Sequence, residues 1–92
     1  MKYTMFSQKN EFGGFDIGWE LKEMVDIISE KNDIDIIGHF DNVQQFIDLV
    51  ESHKLTGKFI DKIGLHNSAV MALKHLDATY NLMHEYNILK EV

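Results

Sequence analysis

The chain contains no cysteine, no proline and no arginine among its 92 residues. Without cysteine it can form neither a disulfide framework nor a thiolate metal site, and it lacks the commonest nucleophile. No apolar run approaches the ~20 residues that a transmembrane helix needs, and the N-terminus has no signal-peptide core. We therefore expect a cytoplasmic protein with no membrane contact. The absence of arginine also removes the side chain that best binds guanine through two hydrogen bonds.

Patterns typical of enzymes and cofactor sites are also missing. Gly13 and Gly18 are spaced like the glycines of a phosphate-binding loop, but Trp19-Glu20 follows where that loop needs lysine and serine or threonine. The histidines have no spacing that would place two metal ligands on one helical face; they are His39, His53, His66, His75 and His84. We expect no metal, no cofactor and no enzymatic activity.

Charge is distributed unevenly along a chain whose net charge is −6. Residues 1–52 carry four lysines against eleven acidic residues, whereas residues 53–76 carry four lysines against Asp61 alone. The basic residues are all lysine, and isoleucine and asparagine are plentiful, which is typical of AT-rich coding sequence. This composition suggests an AT-rich bacterium or one of its phages or plasmids. Asymmetry of this kind bears on partners and not on fold.

The first part of the chain predicts a small sheet with one helix. Lys2 to Ser7 alternates as a strand, Gly13-Gly14 signals a turn, and alternation resumes to about Trp19. We expect this hairpin to be followed by a helix over roughly 20–31 and a third strand over 34–40. The predicted class is α+β in a single domain, 1–92, with a β-containing acidic part over 1–40 and a mostly helical part over 41–92.

The helical part is predicted to contain a helix-turn-helix-like pair at 57–76. Asp41 or Asn42 caps a first helix that ends near Lys54. Thr56 then caps a short helix through Ile63. The turn follows at Gly64, which adopts left-handed backbone angles at no steric cost, and Asn67 or Ser68 caps the next helix. That helix either continues to about Leu89 or is interrupted by a restart at Asp77.

Residues 59–76 resemble the DNA-reading helix pair of lambda-type phage repressors. The shared pattern is Asp61-Lys62, an apolar residue, Gly64, an apolar residue, a polar pair, and an anchor valine at Val70. The family usually has alanine where this chain has Ile60. The resemblance implies that the polar pair, here Asn67 and Ser68, contacts bases and phosphates.

The leading functional hypothesis is a phage- or plasmid-type transcription regulator that binds double-stranded DNA. Its lysines would contact phosphates and its second helix would face the groove. We expect a homodimer, because one chain contributes few contacts. The predicted contact residues are Lys58, Lys62, Asn67, Ser68, Met71, Lys74 and His75. The residues of 77–90, including Tyr80, Leu82, Met83, Tyr86 and Leu89, are candidates either for the dimer interface or for the core.

The acidic part supports an alternative hypothesis. Glu20, Glu23, Asp26 and Glu30 have helical spacing, and a dense acidic face can imitate the phosphate backbone. Under this alternative the chain is an acidic phage-type inhibitor or DNA mimic that binds a host nuclease or defence protein, as anti-restriction and anti-CRISPR proteins do. A solvated acidic face that only keeps the protein soluble has the same pattern.

Overall fold

A computed structural model of the chain describes residues 1–85. Three strands and a helix come first, followed by two more helices, so the predicted α+β class is confirmed. A short 3-10 turn, Thr56–Lys58, connects the last two helices. The elements are β1 (Tyr3–Lys9), β2 (Phe15–Leu21), α1 (Lys22–Lys31), β3 (Ile34–Phe40), α2 (Val43–Ser52) and α3 (Lys62–Glu85).

The sheet is antiparallel in the order β2-β1-β3, so the first strand of the chain is the central one. The loop between β1 and β2 is closed by Asn10, whose side-chain oxygen accepts from the backbone N–H groups of Phe12 and Gly14, each at 3.0 Å. Gly13 has φ 84°, a conformation that glycine adopts without a steric penalty. The connection from β2 to β3 crosses β1 through α1.

The two faces of the sheet pack against different helices. Tyr3 and Met5 of β1 are fully buried on the face that packs against α2 and α3. On the other face, the ring of Phe6 lies over Gly18, where an added Cβ would come within 2.6 Å of the ring. The crossover helix α1 contacts β1 and β2. Its buried residue, Val25, lies outside the main core cluster, which places α1 on this second face.

Aromatic side chains connect the sheet to the helices through the main core. Phe46 of α2 contacts Trp19 and Phe40 with ring centroids 5.0 and 5.3 Å apart. Tyr3 in turn contacts Phe40 at 5.7 Å and Tyr80 of α3 at 6.3 Å. Tilted and edge-on pairs of this kind add stability beyond the apolar area that they bury.

The ends of α2 follow from its local sequence. Asn42 caps the helix as predicted, because its side-chain oxygen accepts from the backbone N–H of Gln45 at 2.9 Å. At the other end, the N–H of Leu55 donates to the carbonyl of Val50 and that of Lys54 donates to Glu51. This is a Schellman motif, and it holds Lys54 at φ 56°.

The predicted turn at Gly64 is wrong. Gly64 lies within the first turn of α3, which runs from Lys62 to Glu85 without interruption, so residues 57–76 do not form a pair of crossing helices. Asn67 and Ser68, which were predicted to cap a helix, are inside α3. Asp77 does not restart a helix either. Only the 3-10 turn Thr56–Lys58 remains of the predicted first helix of the pair.

The physical reason is a competing capping residue. The side-chain oxygen of Asp61 accepts from the backbone N–H of Gly64 at 2.7 Å, which starts the helix three residues before the predicted turn. Val70, which the repressor-like pattern predicted as an anchor, is 40% exposed. The residues that α3 buries are Leu65, Ala69, Ala72, Leu73 and Leu76. Two predicted interface residues, Tyr86 and Leu89, lie outside the described residues.

Within residues 1–85, no helix has both the length and the apolar character that a bilayer span requires.

Candidate functional site

Three acidic residues form a row along the outer side of α1. Glu23, Asp26 and Glu30 are all exposed and are separated by three and four positions, which places them on one side of the helix. A rise of 1.5 Å per residue puts neighbouring members about 4.5 and 6 Å apart along the helix axis. We refer to these three residues as the acidic row.

The carboxylates of the acidic row form no salt bridge within residues 1–85. The one salt bridge in this part of the chain joins Lys2 to Asp77, with 3.9 Å between the charged atoms. The carboxylates of the row accept no hydrogen bond in the same part of the chain. Lys22 and Lys31, at the two ends of α1, are exposed and form no salt bridge with the row.

Glu20, the fourth acidic residue predicted for this surface, is not part of the row. It lies on β2, is half-buried, and pairs across the sheet with Thr4. One of its carboxylate oxygens accepts from the backbone N–H of Leu21 at 3.1 Å, at the start of α1. The structure thus brings together three of the four predicted residues.

Two exposed apolar side chains lie on the same face of the molecule as the acidic row, and we refer to them as its apolar border; sequence reasoning did not identify them. Ile27 is 52% exposed and lies four positions after Glu23 and three before Glu30, so it adjoins both. Ile36 of β3 is also 52% exposed, and it pairs with Phe6 on the sheet face that α1 covers. The spacing of Ile27 relative to the acids was the available signal.

The residues predicted to read DNA are only partly brought together. Asn67, Ser68, Met71 and His75 line a shallow groove between α3 and Trp19 at the edge of the sheet. They share one side of a helix, but the preceding helix of a helix-turn-helix unit does not exist to position them.

The lysines predicted to contact phosphate have different surroundings. Lys58 is engaged with β2, because its ammonium donates to the backbone carbonyl of Phe15 at 2.5 Å and lies 4.0 Å from the centroid of the Phe15 ring. Lys62 and Lys74 are exposed on α3. One chain therefore has two lysines on α3 that could contact phosphates, whereas the prediction used three lysines.

The candidate dimer residues on α3 are mainly core residues of a single protomer. Tyr80 and Met83 are half-buried and pack against the core cluster, while Leu82 is 52% exposed. At the same end of the molecule, the hydroxyl of buried Tyr3 donates to the carboxylate of Asp77. Burial raises the pKa of Tyr3 well above its ordinary value, and this hydrogen bond raises it further.

Comparisons with protein-family profiles, with curated proteins and with solved structures found no significant match to this chain.

Proposed function

We propose that the protein is a small acidic inhibitor, of phage type and without catalytic activity, that binds a basic surface of a host nuclease or defence protein through the acidic row. The observation that supports this proposal is the outward row of Glu23, Asp26 and Glu30, whose carboxylates form no salt bridge in residues 1–85. Neighbouring members of the row are about 4.5 to 6 Å apart along the helix axis. Cationic side chains that normally bind successive phosphates can therefore contact successive carboxylates of the row.

The acidic row and its apolar border have complementary roles in this proposal. Exposed acids accelerate association with a basic surface and select against acidic ones, but they add little affinity by themselves. Burial of Ile27 and Ile36 against the partner supplies affinity, at about 25 cal/mol per Å² of apolar area removed from water. Both parts lie on the face of the molecule that carries α1.

The test is a plating assay in bacteria that express this chain together with one defined restriction or CRISPR system. We expect expression to raise the plating efficiency of a susceptible phage in at least one such strain. The triple variant Glu23→Gln, Asp26→Asn, Glu30→Gln is expected to lose most of this protection. A purified target enzyme should then show inhibition by the original chain and about tenfold weaker inhibition by the variant.

A matched control changes three exposed acids elsewhere, as Glu11→Gln, Glu51→Gln, Glu85→Gln, so that both triple variants have the same net charge. Protection must survive in the control. If the acidic-row variant protects as well as the original chain, or if no defence system is blocked, the proposal is wrong.

DNA binding through α3 is the second candidate, supported by the groove that collects Asn67, Ser68, Met71 and His75. Its weakness is quantitative. Two phosphate contacts, from Lys62 and Lys74, give a salt slope of only about −1.8, and a dimer is needed to reach about −3.6. The acidic net charge of the chain opposes the same interaction.

Fluorescence anisotropy with a labelled duplex, measured at about 50 and 200 mM salt, tests this second candidate. DNA binding through α3 predicts that Lys74→Gln weakens binding and reduces the salt slope by about 0.9 per protomer. Lys31→Gln, on α1, is the matched control. An unchanged anisotropy at the lower salt concentration excludes the regulator.

A further inference from the structure

A polar cleft lies at the hairpin-loop end of the sheet, away from both surfaces discussed above. It has a volume of about 490 Å³ and is enclosed by the β1–β2 loop, the start of β3 and the segment that follows α2. Pockets of about 300 to 1,000 Å³ that combine apolar walls with a few polar groups are typical of small-molecule sites. This cleft has both features.

Its polar wall contains one cation and one anion that form no salt bridge with each other. Lys9 and Asp35 both line the cleft, and neither forms a salt bridge within residues 1–85. Asp35 pairs across the sheet with Ser7, two positions before Lys9, so the Cα atoms of Lys9 and Asp35 are diagonal neighbours about 7–8 Å apart. Both side chains are exposed, and His53 lies in the same wall.

The apolar wall is formed by Phe15, Ile37 and Leu55. Phe15 pairs with Lys9 across the sheet, so the two side chains start from neighbouring backbone positions. The ammonium of Lys58 lies over this ring and holds it in position. An apolar surface thus adjoins the separated charges.

The rim of the cleft is already ordered by hydrogen bonds within the hairpin loop. The side-chain oxygen of Asn10 accepts hydrogen bonds from two backbone N–H groups of the loop. The backbone N–H of Asn10 donates to the carbonyl of Gly14 at 3.0 Å. A rim that is fixed before binding reduces the entropy that a ligand must remove.

We propose that this cleft binds a small zwitterion, namely a free α-amino acid with an apolar side chain. Lys9 binds the carboxylate, Asp35 binds the ammonium group, and the side chain packs against Phe15, Ile37 and Leu55. The presence of one unpaired charge of each sign decides the ligand class, because a dianion such as a mononucleotide would be repelled by Asp35. The proposal does not depend on the function of the acidic row.

The test uses phenylalanine and leucine as probes, followed by amide chemical shifts of the labelled protein. We expect saturable shifts at Lys9, Gly14 and Asp35 with dissociation constants at or below about 1 mM. Glycine has no apolar side chain, N-acetylphenylalanine has no ammonium group, and phenylalanine amide has no carboxylate. Each of these three is expected to bind at least about tenfold more weakly than phenylalanine.

Two variants link each charge to its ligand group. Asp35→Asn is expected to weaken the binding of phenylalanine about tenfold while leaving the binding of N-acetylphenylalanine unchanged. Lys9→Gln is expected to weaken the binding of phenylalanine by a similar factor while leaving the binding of phenylalanine amide unchanged. Both residues are exposed, so the variants should keep the fold, and Lys31→Gln serves as the control with the same charge change.

Several outcomes overturn the proposal. They are the absence of cleft shifts with either amino acid at about 10 mM, equal binding of N-acetylphenylalanine and phenylalanine, or phenylalanine binding that survives both variants. Binding of adenosine monophosphate in the cleft without binding of either amino acid would also overturn it.

Discussion

At the residue scale, Tyr3 connects the start of the chain to its last helix. Its ring is fully buried between Phe40 and Tyr80, and its hydroxyl donates to Asp77. Burial and this hydrogen bond both favour the neutral hydroxyl, so they raise the pKa of Tyr3 in the folded protein. The contribution to stability is therefore complete below the unfolded pKa of about 10 and is lost as the pH rises beyond it.

Tyr3→Phe tests this contribution. At neutral pH, loss of the hydrogen bond to Asp77 is expected to lower the free energy of unfolding by about 1 kcal/mol. From pH 10 upward, the difference between the original chain and the variant should shrink by up to about 1.4 kcal/mol per pH unit. Urea unfolding at several pH values from 8 to 11 measures this difference in the free energy of unfolding. Titration of the lysines affects both proteins alike, so it does not change the difference. A difference that stays constant to pH 11 would contradict the assignment.

Gly64 distinguishes a continuous helix from a turn. An added Cβ would lie 3.4 Å from a carboxylate oxygen of Asp61 and 3.7 Å from the Cβ of Ile60, so alanine fits. Gly64→Ala is expected to raise the free energy of unfolding by about 0.5 to 1 kcal/mol, because alanine is the better helix former. Gly13→Ala, at φ 84°, is the control and should destabilise by about 1 kcal/mol. Destabilisation by Gly64→Ala would instead favour a turn at that position.

At the element scale, the ends of helices are determined by single side chains. Two local signals, Asp61 and Gly64, compete for the start of α3, and the cap at Asp61 prevails. The hydrogen bond from the Gly64 N–H to the Asp61 carboxylate places Gly64 in the first turn of α3, so the repressor-like turn at Gly64 does not form. The extended α3 then turns Asn67 and Met71 toward the groove beside Trp19.

Lys54 marks the corresponding feature at the end of α2. Its φ of 56° is unfavourable for a residue with a Cβ, whereas glycine adopts it freely. Lys54→Gly is expected to raise the free energy of unfolding by about 0.5 to 1 kcal/mol in chemical denaturation. Lys54→Ala removes the same charge but keeps the Cβ, so it should give no such gain. Equal effects of the two variants would show that charge, and not backbone conformation, is responsible.

The sequence predicted elements whose signals are local and missed relations that depend on packing. Alternation correctly predicted the first two strands, β-branched residues correctly predicted the third, and Asn42 correctly predicted the start of α2. Val70 was misassigned as a buried anchor because the repressor-like pattern places it there, whereas it is 40% exposed and the neighbouring Ala69 is buried. Likewise, helical spacing identified the acidic row, but it included Glu20, which lies in β2 before α1 begins at Lys22.

At the scale of the whole molecule, acidic charge is concentrated along one side of α1. The acidic row has no ion-pair partner in residues 1–85, and like charges three or four positions apart on a helix destabilise it by about 0.2 to 0.5 kcal/mol per pair. The row is therefore expected to lower the stability of the fold slightly.

Neutralising the row should therefore stabilise the protein at low salt. The variant Glu23→Gln, Asp26→Asn, Glu30→Gln is expected to gain about 0.5 to 1 kcal/mol at about 10 mM salt and less at 1 M, where the screening length falls to about 3 Å. The control variant at Glu11, Glu51 and Glu85 should gain less, since these acids are far apart in the sequence. Thermal unfolding at both salt concentrations provides the measurement. Equal gains in the two variants would attribute the effect to net charge alone.

The central position of β1 has a consequence for how the protein is made. The strand β1 needs neighbours on both sides and is synthesised before either of them, and its second neighbour, β3, is made only after the crossover helix. The hydrogen bond from Tyr3 to Asp77 spans 74 positions, so it waits until most of α3 has been translated. Distant contacts of this kind slow folding. One edge of β1 therefore stays open until β3 has been made, and loss of the chain beyond residue 76 would remove the hydrogen-bond partner of Tyr3 in β1.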